Sequence, residues 1–254
     1  MDGLKVSATR TEEPISQSPL PAGEGKGEGR PNLAPQGKWS APALDHLIPA
    51  GLWLVQLLAK ITALSLYLEA SANVPTTTVA AYVVQQSLTC AFTGLNVVFF
   101  LTRSPVLGAR ASWRGRAIAL AGTFVLFIPI SRPAVKDQPE LLIASSAIIL
   151  VGTALSIVSI TTLGRCFGLF PEARGLVTRG PYRFVRHPLY LGEIITATGV
   201  VIGTASPALA GLLVLLLVSF QYWRATLEER ALTRVFPDYA TYQRQTWRIV
   251  PGIH

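Results

Sequence analysis

Residues 207–230 read PALAGLLVLLLVSFQYWRATLEER. No charge occurs from Pro207 until Arg224. A helix needs about 20 apolar residues to cross a hydrocarbon core of roughly 30 Å, and 207–227 supplies them. Pro207 suits a first helical position, where no backbone N–H is needed. Tyr222 and Trp223 fall where the apolar run meets its charged end, the depth at which aromatic residues sit in a membrane interface. This stretch therefore predicts a transmembrane helix whose last turns, with Arg224, Glu228, Glu229 and Arg230, reach water.

Five more apolar runs lie upstream, at about 46–68, 79–101, 116–131, 141–163 and 188–204. The third and fifth are short for a span. Half of the 254 residues are hydrophobic and 14% are charged, well under the roughly 25% of an average soluble domain. The expectation is an all-α, polytopic helical membrane protein with about six spans. Asn73–Thr78 and Ala205–Pro207 are short separations that predict tight helical hairpins, with Pro75 a second helix start. The first 42 residues differ. They are rich in Pro, Gly, Ser and Glu, and Lys5, Arg10, Lys26, Arg30 and Lys38 balance Asp2, Glu12, Glu13, Glu24 and Glu28. Such a composition buries too little apolar surface to offset chain entropy, so 1–42 reads as a disordered tail. Residues 43–162 read as N-terminal transmembrane helices. Residues 163–254 hold two spans, the chemistry-bearing motifs and a C-terminal amphipathic segment.

The net charge of +8 sits in the connections. Arg103, Arg110, Arg114 and Arg116 follow the second run. Arg165, Arg174, Arg179, Arg183 and Arg186 follow the fourth. Arg224, Arg230, Arg234, Arg244 and Arg248 follow the sixth. With six spans these groups share one face, which the positive-inside rule assigns to the cytoplasm together with both termini. The basic charge is thus topological and points away from nucleic acid. Cys90 and Cys166 form neither a disulfide framework nor a metal spacing, and no metal site is expected from three scattered histidines.

Chemistry concentrates in LGRCFGLFPEARGLVTRGPYRFVRHPLYLGE, residues 163–193. Pro188 suits the first turn of the fifth helix and puts His187 at its entrance. Unsatisfied N–H groups there, with Arg183 and Arg186, favour an anion such as a carboxylate. Glu193 lies about one turn inside the span and needs a partner, for which an arginine of the same loop is a candidate. In QYWRATLEER, Arg224 and Glu228 are one turn apart and can pair; Glu229 points elsewhere. FPDYATYQRQTWRIVPGIH, residues 236–254, is basic and aromatic and reads as a membrane-surface segment.

GPYRFVRHPLYLGE, followed by a span and then R-x-x-x-E-E, resembles the isoprenylcysteine carboxyl methyltransferase family, and more distantly the membrane phospholipid N-methyltransferases. The resemblance covers about 163–254. It implies S-adenosyl-L-methionine as cofactor, in a pocket facing the cytoplasm. By motif match, Arg174, Gly175, Leu176 and Val177 would pass along the cofactor, and Tyr182, His187, Pro188, Leu189 and Tyr190 would line the pocket. Glu228 would hold its polar end. Arg224 would be the catalytic residue facing the substrate. CFGLFPEAR departs from the polar residue that eukaryotic members carry upstream of LVT. The resemblance implies O-methylation of a carboxylate on a prenylcysteine-like or other lipophilic acceptor. An ionised carboxylate needs no general base; an amine or thiol acceptor would, with Tyr190 or Glu193 as candidates. The rival readings are N- or S-methylation of a lipid or small apolar compound, and a non-enzymatic transporter. The expected partners are the acceptor and membrane lipids.

Overall fold

The structure is a computed structural model that describes residues 42–124, 139–202 and 207–253. The tail reading of 1–42 falls almost wholly outside them. Seven α-helices are described: α1 (Pro42–Ala70), α2 (Thr76–Thr102), α3 (Trp113–Phe124), α4 (Pro139–Leu163), α5 (Pro188–Ile202), α6 (Pro207–Val235) and α7 (Tyr239–Gln245). Among the described residues, four stretches are long and apolar enough to cross a membrane: His46–Ala70, Thr76–Thr102, Ile143–Cys166 and Ala208–Val235; α5 is a shorter apolar helix. The second half of the expected third span lies among residues that are not described. Proline placement fits the reading from sequence: Pro75 is the N-cap of α2, and Pro188 and Pro207 open α5 and α6. Helix α6 runs two turns beyond the predicted end at 227, because ATLEERALTRV contains no helix breaker before Pro237.

Lipid tails are as apolar as leucine, so helices in a bilayer associate through close backbone approach and polar contacts. The α4–α5 pair shows both. A Cβ added at Gly152 would stand 2.5 Å from the Thr196 amide nitrogen, and one at Gly199 would stand 2.9 Å from that of Ile149. Ser145 Oγ donates to the Gly199 carbonyl at 2.7 Å. Ser146 Oγ donates to Gln85 Oε1 of α2 at 3.0 Å. Thr153, Ser156 and Ser159 are buried along the same helix. In contrast, Val55, Leu58, Leu66 and Leu215 are exposed, as lipid-facing side chains are.

The loops after α2 and α4 zip together at one end of the helices. Ser104 N–H donates to Arg165 O and Leu107 N–H to Ala173 O, both at 2.7 Å. A cluster of Trp53, Phe100, Ile160, Phe167, Leu169 and Leu189 packs beneath them. The C-terminal segment also folds back. Arg186 N–H donates to Trp247 O at 2.8 Å, His187 N–H to Arg248 O at 3.0 Å, and Trp247 N–H to Phe184 O at 3.1 Å. The segment after α6 is therefore more than a membrane-surface strip: Tyr239 is 1% exposed and packs with Ala173, Val235 and Phe236.

Forcing bulk into the α4–α5 contact should cost about 1–3 kcal/mol of overpacking strain. Gly152→Val should lower the thermal unfolding temperature in detergent. Gly211→Ala, where an added Cβ meets nothing within 4 Å, should leave it unchanged or raise it.

Candidate functional site

Three pieces of chain wall a cleft of about 740 Å³, including its open mouth. The loop 163–177 supplies Cys166, Phe167, Gly168, Phe170, Glu172, Arg174, Gly175, Leu176 and Val177. The turn and helix start at 182–190 supply Tyr182, Arg186, His187, Leu189 and Tyr190. The end of α6 and α7 supply Glu228, Leu232, Tyr239 and Tyr242. Nine of the eleven residues singled out from sequence meet here. Pro188 is fully buried as the first residue of α5 and is not part of the wall. Arg224 is packed on the face of Tyr190, with its Cζ 4.6 Å from the ring centroid, and is not part of the wall either.

The cleft is held open by ion pairs behind its walls. Glu229 is 7% exposed and accepts from Arg186 Nε at 2.9 Å; His187 Nε2 lies 3.2 Å and Arg248 Nη2 3.3 Å from its carboxylate. Arg186 also donates to the Gln243 and Thr246 carbonyls. One carboxylate thus joins the loop, α6 and the C-terminal segment. Adjacent residues on a helix point about 100° apart, so Glu228 faces elsewhere, into the cleft. It accepts from the Tyr190 hydroxyl and stands 3.8 Å from His187 Nδ1. The His187 and Tyr190 rings stack at 5.3 Å.

Several local expectations change at this point. The α5 entrance does not offer a free anion site: the His187 N–H is taken by Arg248 O, Arg186 is neutralised by Glu229, and two carboxylates flank the His187 ring. The partner of Glu193 is no loop arginine. It accepts from Gln221 and lies 3.8 Å from Arg224, both on α6. The one-turn Arg224–Glu228 pair does not form, because Arg224 turns toward Glu193 and the Gln221 Oε1, the latter at 3.1 Å. Its other terminal nitrogen reaches Leu169 O at 3.3 Å, and its buried Nε has no hydrogen-bond partner.

Sequence reasoning missed Glu172, Glu229 and the tyrosines of α7. Glu172 binds Arg174 at 2.8 Å and the Ala111 N–H at 3.2 Å, and lies 3.7 Å from Arg116, so it bridges the two basic loops. Only the i, i+3 spacing of Tyr239 and Tyr242 signalled a common inward face. Tyr242 donates to Tyr182 O at 2.6 Å. Burial raises the pKa of Tyr182, Tyr239 and Tyr242, so all three phenols remain neutral donors at physiological pH.

The residues fit S-adenosylmethionine, a sulfonium cation with an amino-acid head and a flat adenine. The cleft joins aromatic and apolar walls to a few polar groups, the make-up of a small-molecule site. Glu228 offers a partly exposed carboxylate to a cation. The buried Tyr239 hydroxyl lines the cleft without a hydrogen-bond partner, a donor that a ligand's polar group would satisfy. Among the described residues no group of three or more His, Cys, Asp or Glu side chains could hold a metal ion.

Removing the charge of Glu229 would strand buried Arg186, at a cost of about 3–5 kcal/mol for such a broken pair. Glu229→Gln should therefore speed amide hydrogen exchange at Arg186, His187 and Trp247. Unchanged protection there would mean that the ion cluster does not hold the C-terminal segment.

Residues 141–239 match the phospholipid methyltransferase family. Among curated proteins, the cobalt-zinc-cadmium resistance protein CzcN of Cupriavidus metallidurans is 35% identical over 102 residues, 38% of this chain and 46% of the relative. The nickel-cobalt-cadmium resistance protein NccN of Alcaligenes xylosoxydans xylosoxydans is 33% identical over 113 residues, 43% and 52% of the two chains. Protein-S-isoprenylcysteine O-methyltransferase A of Arabidopsis thaliana is 31% identical over 112 residues, 42% and 57%. The matched region spans about half the length of these relatives. A solved structure of a eukaryotic intramembrane Ras methyltransferase, isoprenylcysteine carboxyl methyltransferase, aligns with a TM-score of 0.48 at 20% identity, covering 80% of this chain and 74% of that one. The similarity to membrane methyltransferases thus lies in the part of the chain that carries the cleft, residues 141–239.

Proposed function

We propose that the protein is an integral-membrane methyltransferase that uses S-adenosylmethionine to O-methylate a carboxylate on a lipophilic acceptor, with its site on the cytoplasmic face. One observation carries the reading: the motif residues of 174–190 and Glu228 of α6 meet in one cleft, beside a buried arginine with an unsatisfied Nε. The family match supports the reaction class, and the basic loops support the orientation.

Bound in the cleft, S-adenosylmethionine supplies an activated methyl group. The residues of this chain position and shield it. Glu228, fixed by the Tyr190 hydroxyl, receives the cationic end of the cofactor. Tyr182, His187, Leu189 and Tyr190 form an apolar and aromatic wall for its planar part. An in-line displacement needs positioning more than proton transfer, and an acceptor carboxylate is already ionised. Arg224 is held by Gln221, Glu193 and Leu169 O, and its remaining N–H orients that carboxylate. Tyr190 and Glu193 are already engaged with Glu228 and with Arg224 and Gln221, which disfavours either as a base and favours an acceptor that needs none.

Cofactor affinity and single-turnover transfer should separate these roles. His187→Ala and Glu228→Ala should weaken S-adenosylmethionine binding in calorimetry. Arg224→Ala should leave binding almost unchanged but slow transfer about ten- to hundredfold, the effect of losing one charge-assisted hydrogen bond of about 1.5–3 kcal/mol. Arg224→Lys should rescue poorly, since an ammonium lacks the planar donor fork. Normal affinity in both cleft variants would reject the site. Normal transfer in Arg224→Ala would make that residue purely structural.

A further inference from the structure

A second cavity lies against the last turns of α6, about 800 Å³ including its open side. Arg110 from the loop after α2 lines it with Arg230 and Arg234, one helical turn apart on α6. The apolar part of its wall includes Leu107, Leu227, Ala231 and Val235. Among the described residues no carboxylate lines it. The nearby Glu172 is already engaged by Arg174, Arg116 and the Ala111 N–H.

The notch is built rather than accidental. Gly108 has φ +78° and lies so close to α6 that an added Cβ would stand 3.1 Å from Val235 Cγ2. At Gly115 an added Cβ would stand 3.3 Å from Pro171 and 3.7 Å from Leu227. A side chain at Gly108 would be strained at that φ and would crowd Val235, and one at Gly115, on α3, would crowd Pro171. Its depth follows from the neighbouring aromatics. Tyr222 and Trp223 are exposed about two turns before Arg230, and Trp113, at the start of α3, is 74% exposed beside Arg114. Exposed aromatic rings on a spanning helix mark the headgroup layer. The notch therefore opens at headgroup level on the basic face, and exposed Leu212 and Leu215 continue α6 toward the opposite side of the bilayer.

We infer that this notch binds the phosphate of an anionic phospholipid headgroup, with the acyl chains lying along the apolar surface of α6. Charge selects the ligand: Arg230 and Arg234, with no carboxylate among the described lining residues, favour a net-anionic headgroup over a zwitterionic one. The inference requires α6 to cross the bilayer but does not depend on the methyltransferase reading, and its readout is lipid retention rather than activity.

The test is native mass spectrometry of the full chain in neutral detergent, equilibrated with phosphatidylglycerol or with phosphatidylcholine of the same acyl chains. The wild type should retain phosphatidylglycerol in preference. R230Q/R234Q should lower that retention about 30-fold, since each cation near an anionic lipid contributes about a fivefold factor. R230K/R234K should keep most of it, and R244Q on α7 should match the wild type. Equal retention by R230Q/R234Q would overturn the inference. So would an equal loss in R244Q, which would mark nonspecific charge, or displacement by an equimolar amount of inorganic phosphate, which would mark a free-anion site.

Discussion

The arrangement depends on one buried carboxylate. Glu229 gathers Arg186, His187 and Arg248 around itself and so ties together three pieces of chain that are far apart in sequence. A charge in that position is costly unless it is paired and hydrogen-bonded. Here both conditions hold, and removing one partner leaves the others uncompensated. The backbone pairing of 184–187 with 247–248 follows from the same anchor. Without it, neither His187 nor Tyr190 would have a fixed orientation toward Glu228.

The division of labour between Glu228 and Glu229 is a consequence of helix geometry. Neighbouring side chains on α6 diverge by about 100°, so one acid faces the cleft while the next faces the structural cluster. A polar residue at such depth must either pair or serve a site, and this acidic doublet does both. A similar economy operates at Glu172. It fastens Arg174 of the cleft loop to the loop that carries Arg110, so the proposed cofactor cleft and the proposed lipid notch share a wall.

Much of this was legible in the chain. Apolar runs and prolines located the helix starts at Thr76, Pro188 and Pro207 because those signals are local. The motif residues of 174–190 could be gathered into one region because they are contiguous. Partners were harder to read. Arg224 and Glu228 satisfy the one-turn rule, yet Arg224 is drawn to Glu193 by a helix-helix contact that periodicity cannot reveal. The helical phase that turns Glu229 away from Glu228 directs it to Arg186, a partner that local spacing cannot name. The basic, aromatic C-terminal segment suggested a membrane surface, whereas backbone pairing with residues 184–187 turns Tyr239 and Tyr242 into the cleft. In each case the deciding interaction joins residues some 30–60 positions apart.

The central claim is that S-adenosylmethionine occupies the cleft between the 163–190 loop and the end of α6. Ultraviolet crosslinking of radiolabelled S-adenosylmethionine to the purified protein, followed by peptide mapping, tests it most directly. The account predicts label on peptides that contain Tyr182–Tyr190 and Glu228–Tyr242, competed away by S-adenosylhomocysteine. Label confined to α1 or α2, or insensitive to that competitor, would contradict it.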